Sequence, residues 1–272
     1  MPFLDVDGMG AINVQRAGPR GGSPLVLLHG VGLDLTWWGD QFETFGRTRD
    51  VVAWDMPGHG LSQPLGGTPT FDALTTALEA VVLSAQAGPA DLVGVSVGGM
   101  TAQTFALRRP DLVRSLTLVT TLCDFETPVR EALRERAHVA VSEGMGRIAE
   151  LSNERWFPSG FRARRPDVVD RATASLLRAD PGFHAGMWNM ISGLDLAERI
   201  AAITSPTLIV IGAEDRNAPV AMGEKMAGLI PHSSLRVLPG IGHFPPVEAP
   251  GLFNGLLGDF LATVDSTHPT TP

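Results

Sequence analysis

"DLVGVSVGGMTAQ", residues 91–103, passes from an apolar run through a glycine cluster into a segment of helical character. Ser96 stands at the break, with Gly94 and Gly98 flanking it. If the run is a buried strand and the segment a helix, the turn joining them is too tight for side chains at the flanking positions, hence the glycines. Such a turn lifts the serine hydroxyl off the C-terminal edge of a sheet. It also aims the first N–H groups of the helix, above all that of Val97, at the same point. The stretch therefore predicts a strand–turn–helix unit of an α/β protein with a reactive group at its corner.

The chain on either side agrees. "PLVLLHG" (24–30), "DVVAWD" (50–55), "ADLVGVS" (90–96), "SLTLVTT" (115–121), "PTLIVIG" (206–212) and "SLRVLPG" (234–240) are expected to be strands apolar on both faces, covered by helices on each side. "PFLDV" and "AINVQRA" near the start look like an edge hairpin. "TFDALTTALEAVVL" puts Phe71, Leu74, Leu78 and Val81 on one stripe with Thr70 as N-cap. "GGMTAQTFALRRP" is expected to end as a helix at Pro110, and "PGLFNGLLGDFLA" repeats Leu252, Leu256 and Phe260 behind Pro250. Alternating elements predict a mostly parallel central sheet flanked by helices.

Residues 125–198 break this rhythm with amphipathic helical pieces only, such as "TPVREALRERAHVA" and "RPDVVDRATASLLRAD". An insertion of about 70 residues is too long for a plain loop, and a ligand-covering lid is expected. The division is then a core of residues 1–124 and 199–264, a helical lid of 125–198, and a flexible tail of 265–272.

Composition narrows the function. A net charge of −8 argues against nucleic acid or an anionic membrane surface as partner. No apolar run approaches the roughly 18 residues of a membrane span, and the N-terminus lacks the look of a secretory signal, so a cytoplasmic protein is expected. Cys123 is the single cysteine, which leaves no disulfide framework and no thiolate cage for a metal; none is expected.

A serine hydroxyl is a poor nucleophile without a base. Of the seven histidines, His243 follows the last predicted strand, on a loop that leaves the same sheet edge as Ser96, and is taken as the general base. His29 is expected to brace the turn after an early strand, and His59 to serve structure in "DMPGHGLS". His138, His184 and His232 are expected to be surface or lid residues, with His268 in the tail. An imidazole that accepts a proton needs a carboxylate to hold its tautomer. Asp215, directly after "PTLIVIG", is favoured; Asp124, at the end of the preceding strand, is its rival. The N–H of Val31 is expected to join that of Val97 in an oxyanion hole.

At this point the chain resembles the α/β-hydrolase fold superfamily. The matching pieces are "LLHGVGLDLTWW", "VVAWDMPGHGLS", "LVGVSVGGMTAQTFALRRPDLVRSLTLV", "PTLIVIGAEDRNAP" and "LPGIGHFPPVEAPGLFNGLLGDFL", in the nucleophile–acid–base order Ser96, Asp215, His243. "SEGMGRIAELSNERWFPSGFRARRP" and "DLAERIAAITSPTLIVIGAED" look like the 3-oxoadipate enol-lactonase branch, which opens a lactone in bacterial aromatic-acid catabolism. The resemblance implies a cofactor-free serine hydrolase acting on a small ester or lactone; a monomer or homodimer is expected. A general carboxylesterase or secondary-metabolism esterase with the same triad is the alternative, and a non-hydrolytic binder or lyase on this scaffold is a further one.

Trp37, Trp38, Met100, Trp156, Trp188 and Phe244 are expected to line the pocket. An enol-lactone carries a carboxylate, so a cation should face it. Arg130, Arg134, Arg162, Arg164, Arg165, Arg171 and Arg178 lie in the lid, and nothing in their pattern selects one.

Overall fold

The computed structural model describes residues 3–85 and 88–267. Strands β1 (Phe3–Val6), β2 (Gly10–Ala17), β3 (Leu25–Leu28), β4 (Val51–Trp54), β5 (Ala90–Val95), β6 (Val113–Val119), β7 (Thr207–Gly212) and β8 (Ser233–Leu238) form one sheet in the order β1-β2-β4-β3-β5-β6-β7-β8. The β1–β2 hairpin lies antiparallel at one edge, as expected, and every pairing from β4 to β8 is parallel. This is the mostly parallel sheet expected of an α/β-hydrolase fold. The helices are α1 (Gly39–Phe45), α2 (Phe71–Ser84), α3 (Val97–Arg108), α4 (Thr127–Ser142), α5 (Met145–Trp156), α6 (Ser159–Arg164), α7 (Pro166–Leu177), α8 (Pro181–Ser192), α9 (Val220–Leu229), α10 (Pro245–Glu248) and α11 (Pro250–Thr267).

Alternation along the strands feeds a core on each face. Val26 and Leu28 of β3 join Leu74, Leu78 and Phe105 on one side, whereas Leu25 and Leu27 join Phe45, Phe253 and Leu257 on the other. Thr70 caps α2, its hydroxyl accepting from the Ala73 N–H at 3.1 Å. Register decides where the chemistry lies. Leu28 is level with Gly94, Gly94 with Leu118, and Leu118 with Ile209, so β3, β5, β6 and β7 deliver their following loops to one rim of the sheet. Helices α4 to α8 all fall between β6 and β7 and rise over that rim.

Three details differ from expectation. Strand β8 is not buried on both faces: Arg236 and Val237 are exposed, because β8 is an edge strand paired only with β7. The buried stripe of α11 is Phe253, Leu257, Leu261 and Val264, one residue on from Leu252, which is 52% exposed. Residues 265–267 are not a tail. They complete α11, and the Asp265 carboxylate is ion-paired to Arg49 and, at 2.9 Å, to Arg114. Residues 268–272, with His268, lie outside the described residues. Among the described residues no helix is long and apolar enough to cross a membrane.

Candidate active site

Ser96 has φ 55° and ψ −120°, a left-side conformation that costs a non-glycine residue about 1–3 kcal/mol. The strain is held by three hydrogen bonds. The Ser96 N–H donates to the Val119 carbonyl at 3.0 Å, and its own carbonyl accepts from the Met100 N–H at 3.0 Å and the Thr121 hydroxyl at 2.8 Å. The flanking glycines are obligatory: a Cβ on Gly94 would stand 2.4 Å from the backbone of Gly98, and one on Gly98 would stand 2.4 Å from the Leu28 carbonyl oxygen. Sequence spacing and packing thus have the same cause.

His243 is on the loop between β8 and α10. Its Nδ1 lies 2.8 Å from Asp215 Oδ2, with both residues buried. The second oxygen of Asp215 accepts from the Asn217 N–H at 2.8 Å, so the carboxylate is fixed at both ends. Asp124 does not approach His243; it accepts from Lys225 Nζ at 2.6 Å and bridges to the strand-like backbone of Asp195. The loop itself is clamped. The Thr120 hydroxyl donates to the His243 carbonyl at 2.7 Å, and the His243 N–H donates to the Trp156 carbonyl at 2.8 Å. Glu248 accepts from the N–H groups of Gly242 and Phe244, each at 2.9 Å, one residue either side of the imidazole. Burial pushes the Glu248 carboxyl up to about 7, against the pull of those two N–H groups. Thr120 also has a positive φ, 43°, at the end of β6.

Among the described residues, the N–H groups of Val31 and Val97 donate to no protein acceptor. Val31 lines the cavity beside Ser96, and Val97 supplies the first amide of α3, where helix geometry leaves the N–H unused. His29 braces both neighbouring turns: Nδ1 donates to the Gly30 carbonyl at 2.8 Å and Nε2 accepts from the Met56 N–H at 2.9 Å. Burial lowers its pKa to about 4 and that of His59 to about 3, so both are neutral scaffolding. His138 and His232 are exposed, whereas His184 is a buried lid residue rather than a surface one: its Nε2 accepts from Trp188 Nε1 at 2.8 Å.

Ser96 and His243 open on one cavity of about 310 Å³ beneath α4, α5 and α8. Met100, Trp156, Trp188 and Phe244 line it. Trp37 and Trp38 do not. Asp34 caps the short turn Leu35–Trp38, accepting from the Thr36 N–H at 3.0 Å, and this tucks both indoles into the core behind Phe244. The Phe244 ring, which lines the cavity, stands 5.9 Å from that of Trp37.

Sequence reasoning missed Thr120 and Glu248, which hold the histidine loop, and two cavity arginines, Arg136 and Arg155. None of the seven lid arginines considered from sequence lines the cavity. Arg130 donates to backbone carbonyls, Arg165 pairs with Asp167, and Arg171 lies over Trp37 at 4.3 Å from the ring centroid. The signal for Arg136 was available: Val129, Ala132, Leu133, Arg136 and Val139 follow helical spacing along the cavity face of α4.

Comparison with known proteins agrees with this architecture. The profile of the alpha/beta hydrolase fold family matches residues 23–250. The chain is 28% identical to 3-oxoadipate enol-lactonase 2 of Acinetobacter baylyi, covering 90% of each protein. It is 30% identical to the 2-hydroxymuconate semialdehyde hydrolase of Pseudomonas sp. strain CF600, covering 90% of this chain and 89% of that one. The crystal structure of the enol-lactonase from Burkholderia xenovorans LB400 superposes with a TM-score of 0.90 at 27% identity, over 96% of this chain and 100% of that one. The chain therefore belongs to the alpha/beta hydrolase fold family, and within it is similar to the 3-oxoadipate enol-lactonases.

Proposed function

We propose that this hydrolase opens a small lactone or ester through an acyl-enzyme, with Ser96 as nucleophile, His243 as general base and Asp215 as the acid that orients it. The observation that carries the reading is a strained serine sharing one cavity with an imidazole whose other nitrogen is tied to a buried carboxylate. The Asp215 contact makes Nδ1 the protonated nitrogen, which leaves Nε2 free to accept the hydroxyl proton. Ser96 Oγ then bonds to the substrate carbonyl carbon, and the N–H groups of Val31 and Val97 hold the oxyanion. Collapse breaks the bond to the leaving oxygen, which takes the proton from His243. Water, deprotonated by the same imidazole, attacks the acyl-serine and releases the acid and Ser96.

A lactone adds one demand. Its leaving alcohol stays tethered to the acyl group and can close the ring again unless water arrives first. A lid that holds the far end of the chain away from Ser96 would favour hydrolysis, and α4, α5 and α8 stand where such a hold is needed. The likeness to enol-lactonases supports a lactone over a linear ester, and with it a place in the breakdown of aromatic compounds. A panel of lactones and linear esters of matched size separates the lactonase from a general carboxylesterase. A pre-steady-state burst of p-nitrophenol from p-nitrophenyl acetate, one per protein chain, tests the acyl-enzyme. Steady release with no burst under conditions where deacylation is slowed would contradict it.

A further inference from the structure

The carboxyl end of lid helix α5 is fastened to both loops that carry the proton-handling pair. A helix leaves its last carbonyls without intrahelical donors. In α5 the core takes two of them: the Trp156 carbonyl accepts from the His243 N–H at 2.8 Å, and the Arg155 carbonyl lies 3.4 Å from Asn217 Nδ2. There is no slack on the histidine side, since a Cβ on Gly242 would stand 2.6 Å from both the Trp156 carbonyl oxygen and Pro158 Cδ. The Trp156 ring meets that of Phe244 edge-on, with centroids 5.2 Å apart.

Arg155 closes the other side. Its Nε donates to Asn217 Oδ1 at 2.9 Å and its Nη2 to the Arg216 carbonyl at 2.7 Å. Both acceptors are neutral and lie on the loop after β7, 62 and 61 residues away in sequence. Arg147 of the same helix behaves otherwise, pairing along the helix with Glu143 and Glu150, the usual duty of an exposed cation on a helix face. Asn217 passes the grip on. Its backbone N–H donates to Asp215 Oδ1 at 2.8 Å, and its Nδ2 stands 3.4 Å from the same oxygen. Among the described residues nothing else donates to Oδ1, while Oδ2 faces His243. The χ2 torsion of an aspartate is soft, so the carboxylate turns unless partners hold both oxygens. One oxygen here is held by the imidazole it serves and the other by residue 217 alone.

We infer that Asn217 and Arg155 are positioning residues for the proposed reaction: the lid, through Arg155, fixes Asn217, and Asn217 fixes the Asp215 carboxylate that orients His243. Neither needs to touch substrate in this role. The inference rests on the serine-hydrolase reading for its effect on rate, but not for its effect on the hydrogen bond between Asp215 and His243.

Two readouts test it. p-Nitrophenyl acetate is neutral and small, so its kinetics report positioning rather than recognition. Asn217→Ala should lower kcat by about 10- to 100-fold and Arg155→Met by about 3- to 10-fold, with kcat/KM falling in parallel and KM within about 2-fold. In the double variant the loss should stay within about 2-fold of that in Asn217→Ala, because the arginine acts through residue 217. Arg155→Lys, which can still reach one acceptor, should recover part of the rate. The second readout needs no turnover. The downfield proton NMR resonance of His243 Nδ1–H, assigned by its loss in His243→Ala, should move upfield or broaden in Asn217→Ala and, to a smaller extent, in Arg155→Met, whose Tm should stay near that of the native protein. Should Asn217→Ala fail to fold, Arg155→Met and Arg155→Lys carry the test by the same two readouts. Multiplicative losses in the double variant, a change confined to KM, or a resonance that no substitution moves overturns the assignment. So does a lowered Tm with kcat unchanged, which would make the contact a staple of the fold only. If native protein turns over no ester and yet the resonance responds to these substitutions, the positioning pair stands and the hydrolase reading falls.

Discussion

The floor and the roof of the cavity are built on opposite terms. On the floor the triad candidates and their loops are held closely: the Ser96 backbone by three hydrogen bonds, Asp215 at both oxygens, and the His243 loop by Thr120, Trp156 and Glu248. On the roof, α4, α5 and α8 offer mostly apolar surface and, among the described residues, a buried Arg136 Nε with no acceptor. A triad must be pre-organised to within fractions of an ångström, which strands and short loops do well. On the reading proposed above, reaction type belongs to the floor and substrate choice to the roof.

Substitutions on the floor should hit turnover hardest. Ser96→Ala or His243→Ala should each lower kcat by about 10⁶-fold, with little further loss in the double variant, since the residues act as a unit. Asp215→Asn should cost about 10⁴-fold, while Asp124→Asn leaves ester turnover unchanged, as both are read by p-nitrophenyl ester kinetics. Equal losses in the two would dissolve the assignment of the acid.

The smallest effect concerns the clamp between floor and loop. Glu248→Gln presents an amide N–H₂ to one of the two N–H groups the carboxylate accepts, which should lower stability by about 1–3 kcal/mol in urea melts. Its pH signature has a defined sign. The carboxyl has its ordinary value of 4.5 in the unfolded chain and about 7 in the folded one, so between those values the folded state holds the extra proton. Stability from this group is therefore fully present below pH 4.5 and declines as pH rises through 7. Glu248→Gln should flatten that part of the stability curve; an unchanged slope would place its origin elsewhere.

How much of this could be read beforehand follows the same divide. The elbow was legible because its cause is local: bare glycines flank a serine wherever a strand turns sharply into a helix. Chain order then pointed to His243 and favoured Asp215 over Asp124. The roof was not legible, because which helix faces touch the cavity depends on packing between distant segments. Lid arginines weighed by composition gave no answer, and Arg136 emerges only once Val129, Leu133 and Val139 are seen to share its face. Trp37 and Trp38 follow the oxyanion turn directly, yet the Asp34 cap turns them inward. For α11 two i, i+4 stripes, Leu252–Leu256–Phe260 and Phe253–Leu257–Leu261, are equally apolar, and only contact with the sheet selects the second.

Covalent capture of the serine is the most direct test of the whole account. A fluorophosphonate probe should add one phosphonyl group per chain, located by peptide mass spectrometry on Ser96, with labelling slowed at least about 10³-fold in His243→Ala. Folded protein that stays unlabelled, or labels at another residue at the same rate with and without His243, would contradict it.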